Sequence, residues 1–595
     1  MKEFKLAVYV TAPTLKSLNE EKINYLIEKL KELGVSKVYL ENYRDGLTLD
    51  ANTMVKFKEV FGKQFEVAGG MAIGTWGEGW GEMENFGFKV ACLADERNRE
   101  LVRRVVEEQA SVFDEIIIDD FWANWCHSEI DVKLFNSMYG LNFTRDTLVK
   151  MLRDPVVSRL WCEYSSSLIY NVSRDYVVEP AKRVNGKIKI TLKVAEWRED
   201  FYHRGLKLDK LAEIFDNIYV GTEAREFTAR YGSLYIVDYV RGIVGDKLKG
   251  VWFDTFIGGE GGDYGSLKTY LQQFILSAFG LTEELTLFEA GDILDPERWH
   301  LFESIKENKE KVQKWRVDIK EYGNMGLKRI PVQHFVPQRV DKYVEDHLGI
   351  IGIPLEVSNV VNSNDIVLMT ESDIYHFDIV DLLNRGVNLL FTASAAKKLI
   401  EVLGDTALKI LGVNNVIFDS VNANALTKDG KTFYWAYYKR QGNFPIGPIF
   451  SLNGATPILY AYDGTELYPV VFQNTYSNAK VYVISLTSYL PFLISEFYPS
   501  IARQIIRDIV GEHISIKAIS TSPFLFSLIV KRDGVVTVLN LNDFPIRLTL
   551  SVDSKKYKIK SVEDMKLLQS NENEVRVRLK ENSFGVLRLE KCLVS

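Results

Sequence analysis

Eight short apolar runs alternate with helix-length segments across the first 300 or so residues, and this alternation constrains the fold more than any other feature of the chain. The runs fall at residues 4–10, 37–41, 65–73, 116–118, 187–194, 216–221, 249–254 and 285–289. Between them lie helical patterns, such as Ile23, Leu26, Ile27 and Leu30 on one face and the segments near 95–112 and 145–183. Eight strands with intervening helices predict a closed (β/α)8 barrel. An open doubly wound sheet would also alternate, but no glycine-rich nucleotide turn follows any of these strands, which favours closure.

The rest of the 595 residues is too much chain for one core. A charged helix near 303–321 leads out of the barrel. A second αβ pattern follows, with strands at 364–369, 387–391 and 481–485, and reads as a flavodoxin-like domain. From about 514 the period shortens to that of alternating strands, and Asp533-Gly534 marks a hairpin turn. The expected division is a catalytic barrel at 1–325, a flavodoxin-like domain at 326–512 and a small β-sandwich at 513–595.

A formal charge of −7 argues against a nucleic-acid binder, which would show a basic face. No run is long enough to span a membrane, and the start resembles a first strand rather than a signal peptide, so the expected location is the cytoplasm. Cys92, Cys126, Cys162 and Cys592 form no CxxC pair, and the seven histidines include no HxH or HExxH. No zinc hydrolase signature, nucleophile elbow or P-loop is present, and no cofactor is expected.

Chemistry is expected where barrel strands end. The fourth strand, Ile116 to Ile118, runs directly into Asp119 and Asp120, followed by Phe121, Trp122, Asn124 and Trp125. Adjacent carboxylates repel and resist ionising together. The second strand ends in Glu41-Asn-Tyr-Arg44, the fifth in Lys193 with Glu196, Trp197 and Arg198, and the sixth in Gly221-Thr-Glu-Ala-Arg-Glu226. The seventh ends in Asp254 and the eighth in Glu289. Any one of these could be a helix cap, but a barrel would gather them at one mouth. Paired carboxylates with nearby aromatics suit glycoside hydrolysis.

The order of barrel, flavodoxin-like domain and terminal sandwich resembles glycoside hydrolase family 42 β-galactosidases. The resemblance implies a carbohydrate substrate and a homo-oligomer, dimer or trimer, because the middle domain of that family contributes to trimer formation. It also implies a glutamine-amidotransferase-like but non-catalytic middle domain, and no cysteine lies within 326–512. That family has Asn-Glu after strand four and a glutamate after strand seven. Asp119-Asp120 and Asp254 stand there in this chain, so the family's catalytic pair does not carry over. A closer local similarity is to an uncharacterised group of glycosidase-like barrels. It is carried by Ile118-Asp-Asp-Phe121, Lys193 with Trp197, Gly221-Thr-Glu-Ala-Arg-Glu226 and Trp252-Phe-Asp254.

A strand-four aspartate with a strand-six carboxylate is also similar to the placement in α-galactosidase-type barrels, where the first is nucleophile and the second acid/base. The expected catalytic set is therefore Asp120 as nucleophile, Asp119 orienting it, Glu223 as acid/base and Asp254 in reserve, with the two aspartates able to exchange roles. Lys193, Trp197, Arg225, Trp122, Trp76 and Glu196 are expected to bind substrate. The alternatives are a carbohydrate-binding or scaffold protein without catalysis, and a metal-dependent hydrolase or lyase using Asp119, Asp120 and Asp254.

Overall fold

The structure, a computed structural model, describes residues 3–74, 84–85, 88–89, 91–124, 126–223, 230–255, 267–321, 323–332, 335, 341–434, 444–486, 500–520, 522 and 524–592. The chain divides into two compact units. The first comprises residues 1–223, 236–318 and 332–335, and the second takes residues 224–235, 319–331 and 336–595.

The first unit is a closed parallel barrel of β1 (Lys5–Val10), β2 (Lys37–Glu41), β3 (Glu66–Met71), β4 (Glu115–Ile118), β5 (Lys189–Val194), β6 (Asn217–Gly221), β7 (Leu248–Asp254) and β8 (Glu284–Phe288). Every strand pairs with its neighbour in sequence, and β8 closes on β1 through Lys5↔Glu284 to Val8↔Leu287. Each of the eight runs read from the sequence becomes one of these strands. Helices between them cap as their sequences dictate: Asn19 and Asp95 side chains accept from first-turn amides, and Gly34 ends Glu20–Leu33 in the left-handed region that only glycine enters freely.

Side chains alternate along a strand, so one parity of each faces the barrel interior. Ala7 and Tyr9, Tyr39, Ala68, Ile117, Tyr219 and Trp252 pack there as one cluster. The Tyr9 and Trp252 ring centroids are 4.6 Å apart. Room for Tyr9 comes from Gly70, where a Cβ would overlap the ring. Nearer the floor, Lys37 reaches Glu115 at 2.7 Å and Glu284 at 3.2 Å, and Tyr39 donates to Glu284 at 2.6 Å. These partners are what allow buried charges to sit inside the barrel.

The second unit begins with a parallel sheet made by Leu355–Val357, Leu327–Arg329, Ile366–Met369, Asn388–Thr392 and Ala479–Ile484, in that spatial order. In chain order this is 2-1-3-4-5, the flavodoxin-like arrangement. It continues antiparallel through Leu467–Tyr476, Thr456–Tyr462, Ala425–Lys428 and Lys431–Tyr434, an extension that the sequence reading did not separate from the αβ pattern. Residues after 515 form two four-stranded antiparallel sheets packed face to face. Alternation is plain in Ile546–Val552, where Ile546, Leu548, Leu550 and Val552 point into the core. Within this unit Arg507 donates to the Ile351 carbonyl at 2.8 Å.

Candidate active site

At the carboxyl end of the barrel, a single lysine organises the acids. In the parallel pairing of β4 with β5, Ile118 lies opposite Leu192, so Asp119 and Lys193 follow at the same level. Interior parity then aims Lys193 at the strand-four aspartates. Its Nζ lies 2.5 Å from Asp120 Oδ2, 3.4 Å from Glu223 Oε1 and 3.8 Å from Asp119 Oδ1. All four side chains are buried. Because one ammonium touches both, Asp120 Oδ2 and Glu223 Oε1 are no more than about 6 Å apart, below the roughly 6.5–9.5 Å that inverting glycosidases need. Beneath the lysine, the Trp252 ring presents its face 4.8 Å from Nζ.

Glu223 owes its position to Gly221, the last residue of β6. A Cβ there would overlap the Glu223 carboxylate, so any other residue would push the acid away.

Asp119 is held from a different side. Arg44 Nη2 donates to its Oδ2 at 2.5 Å, and the Asp120 amide donates to its Oδ1 at 2.8 Å. Arg44 is itself fixed by Glu41, whose two oxygens each accept from Nε at 3.0 Å. Tyr9 Oη donates to Glu41 at 2.7 Å, and the Ala12 amide donates at 2.9 Å. Tyr9, Glu41 and Arg44 are thus parts of the site to which the sequence reading gave no role. Glu41 and Arg44 were visible as polar strand-end residues, whereas only interior parity could have pointed to Tyr9.

These contacts set the protonation. Among the described residues, Glu41, Asp119, Asp120 and Glu223 face two cations, Arg44 and Lys193. A buried site with excess acids retains protons. Burial pushes Asp119 up, but Arg44 and Lys193 outweigh it and hold the carboxyl below its usual range. Burial pushes Asp120 up as well; Lys193 opposes this, yet Asp119 and Glu223 add to it, and the result is about 7. Lys193 is raised: desolvation lowers it, and the three carboxylates more than compensate. The lysine therefore remains charged while Asp120 exchanges its proton near neutrality. Burial also raises Glu41, against the Arg44 contact.

The remaining expected residues are placed as follows. Asp254 ends β7, is nearly buried, and adds its charge to those acting on Tyr270. Glu289, just past β8, accepts Thr11 Oγ1 at 2.7 Å and Thr14 Oγ1 at 3.1 Å, and burial raises its pKa. Trp197 is largely buried on the loop after β5, with the Arg204 guanidinium 4.2 Å from its ring, and Glu196 beside it is half-buried. Trp122 is fully enclosed and donates its indole N–H to Ser173 Oγ at 2.9 Å, so it is a packing residue here rather than an open sugar platform. Trp76 and Arg225 lie outside the described residues. Of the oxygens that a hard cation on the aspartates would use, Arg44 holds Asp119 Oδ2 and Lys193 holds Asp120 Oδ2.

A closed parallel barrel with carboxyls gathered at its C-terminal mouth is the arrangement of a barrel enzyme, and paired acids there suit glycosidases. Residues 1–328 match the family model described as "Probable glycosyl hydrolase, catalytic domain", and the chain belongs to that family of glycosidases. Residues 322–489 and 492–583 match the models for the second and third domains of the uncharacterized protein SSO3021. That protein, from Saccharolobus solfataricus, is 84% identical over 591 residues, covering 99% of this chain and 100% of its own. Among solved structures, an α-L-fucosidase isoenzyme 2 from Paenibacillus thiaminolyticus aligns at a TM-score of 0.66 and 11% identity over 100% of both chains. A β-galactosidase from Bacillus circulans sp. alkalophilus aligns at 0.64 and 11% over 99% of both. Gan42B, a GH42 β-galactosidase from G. stearothermophilus, aligns at 0.62 and 11% over 99% of this chain and 98% of its own. At such identities the likeness is one of fold. No helix among the described residues is long and apolar enough to cross a membrane.

Proposed function

We propose that the chain hydrolyses a glycoside or oligosaccharide with retention of configuration, using Asp120 and Glu223 as the reacting pair. The observation that carries this reading is the single Lys193 ammonium in contact with both carboxyls. A pair that close leaves no room for a water between acid and sugar, as inversion requires.

Within the pair, the raised pKa of Asp120 favours it as proton donor to the departing oxygen, with Glu223 attacking the anomeric carbon. This exchanges the two roles expected from α-galactosidase-type placement. Once the leaving group has gone, Asp120 is a carboxylate and takes the proton from the incoming water, which releases the sugar from Glu223. Asp119, ionised and gripped by Arg44, orients the loop and keeps the adjacent Asp120 protonated. Lys193 limits the negative charge that builds up on the pair. Asp254, Trp197, Glu196, Arg225 and Trp76 belong to the sugar-binding rim in this reading.

Residues 1–325 would carry the reaction, and the flavodoxin-like domain would serve assembly into a homo-oligomer in the cytoplasm. A panel of aryl glycosides followed by NMR of the first-formed anomer tests the proposal. Retention is expected. Inversion, or tight sugar binding without cleavage, would overturn it.

A further inference from the structure

Cys92 and Cys126, 34 positions apart in the chain, meet inside the barrel unit, beside Asp131. All three are buried, and their ligand atoms lie within 4.8 Å of one another. Cys92 Sγ is 2.8 Å from Asp131 Oδ2. Ser128 Oγ lies against the same group, 3.3 Å from Cys92 Sγ and 3.0 Å from Asp131 Oδ2. The other carboxylate oxygen, Asp131 Oδ1, accepts the Tyr164 hydroxyl at 2.9 Å.

We infer that this cluster is a zinc site. Two thiols and a carboxylate are a soft donor set with one hard member, which suits zinc and disfavours magnesium or calcium. The spacing is also within reach of zinc coordination. Zinc–sulfur bonds of about 2.3 Å and zinc–oxygen bonds of about 2.0 Å at tetrahedral angles separate ligand atoms by about 3.5–3.8 Å. Cys92 Sγ and Asp131 Oδ2 would open from 2.8 Å by about 0.7 Å to reach that geometry, and Cys126 Sγ already lies within 4.8 Å of both. Ser128 Oγ, or a water held by it, is at hand for the fourth position. The Tyr164 hydroxyl supplies the outer hydrogen bond that fixes a ligating carboxylate. Binding displaces the two thiol protons to solvent.

The position explains what such an ion would do. Cys92 belongs to the connection after β3, whereas Cys126 and Asp131 belong to the one after β4, which starts with Asp119 and Asp120. Zinc would tie these two connections together, holding the base of the loop that carries the acids. Its role is to position that loop, and the reaction does not pass through it.

The test is metal analysis of the full chain purified without chelator or metal-affinity resin. About one zinc per chain is expected. Stripping with a strong chelator should lower Tm, and zinc sulfate alone should restore it. Cys126→Ser and Asp131→Asn should lose the zinc and the chelator response together. If Cys126→Ser does not fold, stripping and reloading the native chain still decides the matter. Stripped protein that takes up no zinc at micromolar concentration and melts unchanged would overturn the inference. So would a thiol titration of the denatured chain showing Cys92 and Cys126 joined as a disulfide. Metal content and Tm are read without substrate, so the outcome is separate from whether the chain cleaves glycosides as proposed.

Discussion

Lys193 Nζ lies 2.5 Å from Asp120 Oδ2, yet the Asp120 carboxyl keeps its proton to about 7. The two facts are compatible because burial, Asp119 and Glu223 together outweigh one ammonium shared among three carboxyls. The lysine moderates a crowded acid cluster without neutralising it. A carboxyl poised to give up its proton near neutrality is what general-acid catalysis requires.

Activity should follow that proton. If Asp120 donates it, kcat/KM falls as pH rises through about 7. Asp120→Asn should remove this limb and lower kcat by about 10²–10⁴-fold on substrates with poor leaving groups. A pH profile on an alkyl or sugar-linked glycoside checks both. A rate that instead climbs through the same pH would return the nucleophile's role to Asp120.

Stability should move in the same window. The folded pKa of Asp120 lies above its unfolded value of 3.8, so the folded chain binds more protons between about 4 and 7. Its contribution to stability therefore falls as pH rises through that interval. Asp120→Asn mimics the protonated form and should flatten the slope. Lys193→Met removes the shared cation and leaves buried acids uncompensated, at a cost of about 3–5 kcal/mol at pH 7. Adding Asp120→Asn to Lys193→Met should recover part of that loss. Urea melts of the single and double variants at pH 5 and pH 8 measure each effect.

Small nucleophiles should separate the paired roles. With Asp120→Ala, a dinitrophenyl glycoside needs no proton donor, so the covalent sugar forms and accumulates. Azide should then speed turnover and give a glycosyl azide of retained configuration. With Glu223→Ala, azide should give the inverted product. Anomeric assignment by NMR checks both, and the opposite pattern would reverse the roles.

The barrel was legible because its signal is local and repeated: eight apolar runs at helix-spaced intervals leave few other folds. Asp119, Asp120, Lys193 and Glu223 were legible for a related reason, since each stands at or just past the carboxyl end of its strand, and parallel register puts Asp119 and Lys193 at one level. What could not be read was which way each side chain turns once past its strand. Trp122 stands two positions after Asp120 but donates to Ser173. Glu41 and Arg44 looked like one more polar strand end, and only the folded chain shows Arg44 reaching across to Asp119. Cys92 and Cys126 form no sequence motif because their meeting depends on two separate connections coming together.

Gly221 offers the sharpest test of positioning. It ends β6 with ordinary extended backbone, so alanine brings no conformational penalty of the left-handed kind. The three atoms nearest to an alanine Cβ there all belong to the Glu223 carboxylate, which occupies the space it would take. Gly221→Ala should therefore fold, displace Glu223 from Lys193, and lower kcat by about 10²-fold, the size of effect expected from a misplacement near 1 Å. KM should change little if the rim still holds the sugar. Steady-state kinetics beside a thermal melt distinguish this from general destabilisation: a lowered Tm with kcat preserved would mean that the glycine serves the strand and not the acid.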